Sequence, residues 1–256
     1  SLLCEVLAGQ DVPVRAVYER SEGALRHKEG LADVSGFLPL GTSRGQVQNN
    51  TVIITENGIK YRVDIAEGQK TGFFLDQKYN RLTTAQLAQG LTVLDCFTHT
   101  GAFAFNCLKH GAQFVTCVDA SQEALDRAQE NAALNGMEDR ISFVRADALQ
   151  WLPQQQKQTY DMVILDPPAF AKKRTAAANA FNGYRDINRA GLMLLKRGGF
   201  LATASCSHHM PREQFLRAVQ QAAQATGLRL KQIAALGAAP DHPVLMGVPE
   251  NEYLKF

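Results

Sequence analysis

Two short runs between residues 162 and 206 hold the side chains best suited to chemistry. The first is apolar and ends in a carboxylate and two prolines, Val163-Ile164-Leu165-Asp166-Pro167-Pro168-Ala169-Phe170. The second is apolar and ends in a thiol, Gly199-Phe200-Leu201-Ala202-Thr203-Ala204-Ser205-Cys206. If both are neighbouring parallel strands, Asp166 and Cys206 arrive side by side at the carboxyl edge of one sheet, where open α/β folds bind ligands. The pair then reads as a base-recognising carboxylate and a nucleophile. The alternative is a buried thiol that merely ends a core strand. A reactive thiol wants an electropositive, partly exposed setting, for which His208, His209, Lys172 and Arg212 are the candidate cations. His208 and His209 beside Cys206 form too small a set for a metal, and none is expected.

A second group of polar residues recurs at the ends of earlier apolar runs. Leu94-Asp95-Cys96-Phe97-Thr98-His99-Thr100-Gly101 turns from a strand into a helix, with Gly101 allowing a close approach to backbone. The turn lacks the G-x-G-x-x-G spacing of a dinucleotide site. Val118-Asp119-Ala120-Ser121 puts a carboxylate where it can accept from two ribose hydroxyls, and Arg145-Ala146-Asp147-Ala148 supplies a further polar end near an adenine position. Each acid alone could be a helix cap or a solvated strand end. Together, with no basic residue for a phosphate, they suit a cationic, phosphate-free nucleoside, and S-adenosylmethionine answers that description.

These residues need a sheet to hold them. From Leu91 the pattern alternates, with strands expected over 93–97, 114–118, 141–145, 162–165, 199–204 and 228–233. Helices are expected over 102–110, 122–135, part of 184–195, and 215–225. Helix 122–135 has Ser121 as N-cap and Gly136 as stop. Repeated strand–helix units imply a parallel, doubly wound α/β sheet. The first 68 residues differ: 12–18 alternates like a strand, 21–28 reads as a short helix ended by Gly30, and Asn57-Gly58 between apolar runs signals a hairpin. The expected organisation is therefore a small α+β domain over 1–68, for RNA binding or linking, and a larger domain over 69–256. Residues 70–78 lead into a helix reaching Ala88, with Asp76 as its expected N-cap.

The 256 residues, 45% hydrophobic, are ample for a buried core, and a net charge of +2 neither demands nor excludes nucleic acid. No apolar run approaches the ~20 residues that cross a bilayer, and no signal peptide is visible. Five cysteines without C-x-x-C spacing argue against a disulfide framework or zinc module. A cytoplasmic setting without membrane association is expected. The absence of an initiating Met and the helix-like onset suggest a piece of a longer chain.

Asp95-Cys96-Phe97 with Gly101, Asp119, Asp147, Asp166-Pro167-Pro168 and Ser205-Cys206-Ser207 together resemble a class I S-adenosylmethionine-dependent RNA methyltransferase. They are most similar to the bacterial 23S rRNA cytosine-5 methyltransferase family, whose members usually carry an N-terminal PUA domain that has no counterpart here. Residues 70–77, Tyr184-Arg185-Asp186-Ile187-Asn188 and Asp241-His242-Pro243 also resemble that family. The resemblance implies a Rossmann-like sheet, mostly parallel with one antiparallel strand. It implies cofactor contacts from Phe73, Gln77, Asp95, Phe97, Thr100, Gly101, Asp119, Ala120, Asp147, Ala148, Asp166 and Pro167. Pro168, Phe170, Lys172, Lys173, Arg174 and Arg185 are expected to face RNA, with Phe170 stacking on a flipped base and the cations meeting phosphates. The implied partner is 23S rRNA, naked or in a precursor particle, with a homodimer left open.

Cytosine C5 is too weak a nucleophile to take a methyl group unaided. Thiolate addition at C6, expected from Cys206, turns C5 into an enamine carbon, while Asp166 stabilises charge on the N3/N4 edge. Ala169 stands where many such enzymes carry a second cysteine, so the base that removes the C5 proton is unassigned. Two other readings stay open. One is methylation of a purine ring nitrogen or exocyclic amine with a structural Cys206, or of a small molecule. The other is a non-catalytic RNA- or protein-binding module.

Overall fold

The computed structural model describes residues 6–7, 9–10, 14, 16–38, 50–68, 71–170, 177–248 and 251–256. The chain divides into two compact units, Ser1–Ile54 with Arg62–Phe74, and Thr55–Tyr61 with Leu75–Phe256. Among the described residues no helix is long and apolar enough to cross a membrane.

In the first unit β1 (Tyr18–Ser21) and β2 (Val34–Phe37) pair antiparallel around the short helix α1 (Ala24–Lys28). The rings of Tyr18 and Phe37 pack edge-on at 4.9 Å across this pair. The strand anticipated over 12–18 begins only at Tyr18, and residues 11–13 and 15 lie outside the described residues. The hairpin of β3 (Thr51–Glu56) and β4 (Ile59–Asp64) forms as expected. Asn57 and Gly58 both take positive φ, 51° and 72°, the turn whose twist matches that of its strands. Along β4 Ile59, Tyr61 and Val63 are buried while Lys60 and Arg62 are exposed, the period of two of a half-buried strand.

The second unit is built on five parallel strands in the order β7-β6-β5-β8-β9. These are β5 (Thr92–Cys96), β6 (Phe114–Asp119), β7 (Ile141–Arg145), β8 (Tyr160–Leu165) and β9 (Leu195–Thr203). Between them run α2 (Lys78–Ala85), which precedes β5, then α3 (Ala102–Lys109), α4 (Gln122–Asn135), the single turn α5 (Ala148–Trp151) and α6 (Ala177–Leu194); α7 (Arg212–Thr226) follows β9. Val93, Leu94, Val163, Ile164 and Leu165 are wholly buried, as in a sheet covered on both faces. In α4 the Ser121 hydroxyl accepts from the Ala124 amide at 3.2 Å, and Gly136 ends the helix at φ 63°.

Two expectations fail, both where tertiary partners override local pattern. The 228–233 run lies extended and exposed without a place in the sheet, because alternation makes no strand unless a neighbouring backbone pairs with it. The antiparallel contribution comes instead from the C-terminal residues. Ser205 and Lys255 exchange both backbone hydrogen bonds, at 2.8 and 2.9 Å, and Leu236 and Phe256 do the same at 2.8 and 3.1 Å. Asp76 does not cap α2, which starts after a 3-10 turn (Leu75–Gln77) and ends at Ala85, short of Ala88. Its carboxylate accepts from the Tyr253 hydroxyl at 2.6 Å.

One ion pair is buried within this unit. Arg81 donates from Nε and a terminal nitrogen to the two oxygens of Glu56, both at 2.7 Å, with the side chains 2% and 4% exposed. Removing one partner strands a charge in a dry site, whereas removing both removes the burden. Arg81→Met is expected to lower unfolding free energy by about 3–5 kcal/mol in urea titration. Glu56→Gln in the same chain should restore much of that loss.

Candidate active site

The pairing of β8 with β9 sets the chemistry. Leu165 stands opposite Thr203, and the Ala204 amide donates to the Leu165 carbonyl at 2.8 Å. One residue beyond each strand the chain leaves the sheet, at Asp166-Pro167 on one side and Ser205-Cys206 on the other. The Cys206 thiol donates weakly to the Pro167 carbonyl, Sγ to O 3.9 Å, so the thiol and the carboxylate-bearing turn are adjacent. Asp166 and Cys206 are each partly exposed, Pro167 is buried and Pro168 exposed. Cys96, Cys107 and Cys117 are all buried in the core. Burial pushes each of their thiols upward, away from the reactive thiolate.

Asp166 is held from behind by buried amides. Gln77 Nε2 donates to Asp166 Oδ2 at 2.9 Å, and Asn80 Nδ2 donates to Gln77 Oε1 at 2.6 Å and to the Gly237 carbonyl at 3.1 Å. This holds one oxygen of the carboxylate in place. Asn80 carries no motif, and nothing in its local pattern marks it. Phe170 is half-buried, its ring 4.7 Å from that of Tyr184, so one part of the ring is already committed. The Tyr184 hydroxyl is buried near Ser205 and the Phe170 backbone but in hydrogen-bond geometry with neither; burial raises it to about 12. Arg185 lies on α6 in an exposed pair with Asp186 at 3.0 Å, and Lys172, Lys173 and Arg174 lie outside the described residues.

The acids of the earlier strands gather at the same sheet edge. The loop after β5 holds Phe97, His99 and Gly101 at φ 62°, 51° and 82°, three left-handed residues within five. A side chain at Gly101 would also strike the Phe105 ring, 2.5 Å from an added Cβ. Non-glycine residues in this region are costly and cluster at functional sites. Asp119 accepts from the Ser121 and His99 amides, both at 2.9 Å, so its oxygens brace this loop and keep one lone pair each. Asp147 caps α5 through the Leu149 amide at 2.9 Å and is exposed, as is Ala120; Ala148 and Thr100 are buried. Phe73 is a buried residue of the first unit. Among the described residues no group of three His, Cys, Asp or Glu could hold a metal ion.

Asp95 stands apart. It is 1% exposed; Oδ2 accepts from the Thr98 hydroxyl at 2.6 Å and the Ala104 amide at 3.2 Å. Oδ1 is buried with no partner among the described residues. Burial is the main force raising its pKa from 3.8 to about 7; the Asp166 and Asp119 charges add to it, while the Thr98 and Ala104 hydrogen bonds oppose it. An orphaned acceptor in an acidic, dry pocket fits a ligand that brings donors and positive charge, as S-adenosylmethionine does. Between pH 3.8 and 7 the folded state binds one proton more than the unfolded chain, so this group erodes stability as pH rises through that window and levels off above it. Asp95→Asn is expected to flatten that decline when unfolding free energy is measured from pH 4 to 8.

Comparison with known proteins agrees with the fold and the cofactor. Residues 44–245 match a family described as S-adenosylmethionine-dependent methyltransferase. Ribosomal RNA large subunit methyltransferase I of Shewanella amazonensis is 42% identical over 256 residues, covering 99% of this chain and 63% of the relative. The protein of the same name from Alteromonas mediterranea is 44% identical over 242 residues, covering 93% and 59%. The chain thus spans about three fifths of the length of these curated relatives. A crystal structure of SMU.776, assigned as a methyltransferase and complexed with S-adenosylhomocysteine, superposes with a TM-score of 0.78 at 25% identity, covering 98% of this chain and 63% of that one. The chain belongs to the S-adenosylmethionine-dependent methyltransferase family.

Proposed function

We propose that this chain is the catalytic part of an RNA methyltransferase that forms 5-methylcytosine in 23S rRNA through a covalent Cys206 adduct. The observation that carries the reading is the Cys206 thiol beside the Asp166-Pro167 turn. A nucleophile and a base-edge carboxylate on adjoining turns suit a pyrimidine, whereas amine methylation has no use for the thiol. The relatives' ribosomal RNA names support the substrate class. Residues 1–68 act in this reading as an RNA-binding or linking domain.

S-adenosylmethionine, when bound, supplies an electrophilic methyl group. Asp95 and Asp119 are suited to its charged and ribose parts, with Gln77, Phe97, Thr100, Gly101, Ala120, Asp147, Ala148 and Pro167 around it. The remaining steps belong to the chain and the base. Cys206 thiolate adds to C6, and the electron pair released makes C5 nucleophilic. Asp166 in its acid form would donate to N3, where negative charge develops, while its other oxygen accepts from the N4 amine. Once C5 is substituted, its proton leaves to a base and the C6–S bond breaks, returning the thiolate. Pro168 and Phe170 would bound the flipped cytosine, with Lys172, Lys173, Arg174 and Arg185 toward phosphates.

The test is transfer from labelled S-adenosylmethionine to 23S rRNA lacking the modification, followed by nucleoside analysis. Label is expected in 5-methylcytidine, absent with Cys206→Ala and reduced about 10²–10³-fold with Asp166→Asn. A substrate bearing 5-fluorocytidine at the target should trap a denaturant-stable complex through Cys206, because fluorine cannot leave as the proton does. Label in a purine, or transfer that survives Cys206→Ala, overturns the reading.

A further inference from the structure

Lys255 is a buried cation that the mechanism above does not use. It is 3% exposed, and its backbone pairs with Ser205, the neighbour of Cys206. Its ammonium donates to the Ser207 carbonyl at 2.6 Å and to the Tyr253 carbonyl at 2.7 Å, so it lies against the turn that carries the thiol. Two neutral carbonyls are poor compensation for a buried charge. Among the described residues no carboxylate is within ion-pair distance of it. The acids of the site are committed elsewhere, Asp76 to Tyr253, Asp166 to Gln77 and Asp95 to Thr98.

We infer that Lys255 is the positioning residue that holds Cys206 as a thiolate, the ammonium and the sulfur forming the ion pair of the resting enzyme. The inference rests on the proposed role of Cys206 as nucleophile. Burial lowers the Lys255 ammonium to about 8, and the Cys206 charge is the first influence acting against that fall, with Arg212 lowering it further. The other described groups named near this turn are placed differently. Tyr184 from α6 and Tyr253 from the C-terminal segment are phenols pushed upward and neutral, and Asp166 after β8 is an acid. His208 and His209 are exposed, with the His208 ring 5.5 Å from that of Tyr253. Arg212 gives a terminal nitrogen to the Leu236 carbonyl at 3.0 Å. In this inference Lys255 supplies the cation for which His208, His209, Lys172 and Arg212 are the sequence candidates; Lys172 lies outside the described residues.

The experiment is the pH dependence of Cys206 alkylation by iodoacetamide, read by mass spectrometry on the peptide that carries it, with neither RNA nor cofactor present. Replacing Lys255 with Met is expected to move the midpoint upward by about one to two pH units, and Lys255→Arg should return most of that shift. An unmoved midpoint in a Lys255→Met protein that still melts cooperatively overturns the inference. If the Met variant fails to fold, the same coupling is read from the other side. The titration midpoint of the Lys255 ¹⁵Nζ signal should fall in Cys206→Ser by as much as the thiol gains, and an unchanged midpoint again overturns it. Methyl transfer surviving Cys206→Ala would overturn the proposed chemistry instead, since alkylation requires no turnover.

Discussion

The parallel register of β8 and β9 is the constraint on which the site depends. With Leu165 opposite Thr203, the residues that leave the sheet are Asp166 and Ser205-Cys206. Side chains alternate along a strand, so a slip of one residue would turn each to the opposite face. The register is held by what lies beneath it, since Val163, Ile164 and Leu165 are wholly buried and could not exchange places with polar neighbours. The two prolines then end β8 sharply, because neither can donate to a further ladder. A packed core thus fixes the placement of Cys206 and Asp166, though neither belongs to the core.

What the sequence made legible was local. The alternation from Leu91 onward predicts six strands, of which five form the parallel sheet, and Ser121 with Gly136 marks both ends of one helix because caps are short-range chemistry. Asp166 and Cys206 could be paired in advance because each follows an apolar run whose neighbour is another. Asp76 misled for the same reason. It sits where an N-cap would, but a tyrosine 177 residues away claims its carboxylate. Lys255 gave no signal at all, being one charge in an apolar ending whose meaning depends on an antiparallel bridge to Ser205. Asn80 and Arg81 are likewise polar residues on a short helix until Gln77 and Glu56 are seen beside them. Long-range polar pairing follows from the finished fold and leaves no period behind.

The separation of charge across the sheet edge gives these pieces a common logic. On the β5, β6 and β8 side stand Asp95, Asp119 and Asp166, close enough that the latter two raise the first. On the β9 side stands Lys255, against the turn that carries the thiol, and among the described residues no carboxylate is within ion-pair distance of its ammonium. A cationic nucleoside is favoured on the first side, where it relieves the repulsion among the acids. An anionic sulfur is favoured on the second. Were Lys255 on the acid side, it would pair with a carboxylate, and neither the cofactor pocket nor the thiol would keep its field. Asp166, on the turn beside Cys206, favours the protonated thiol, and in the inferred pair Lys255 opposes that influence. In the proposed reading one sheet edge would thus hold the cofactor's charge among the acids and the nucleophile's charge beside Lys255.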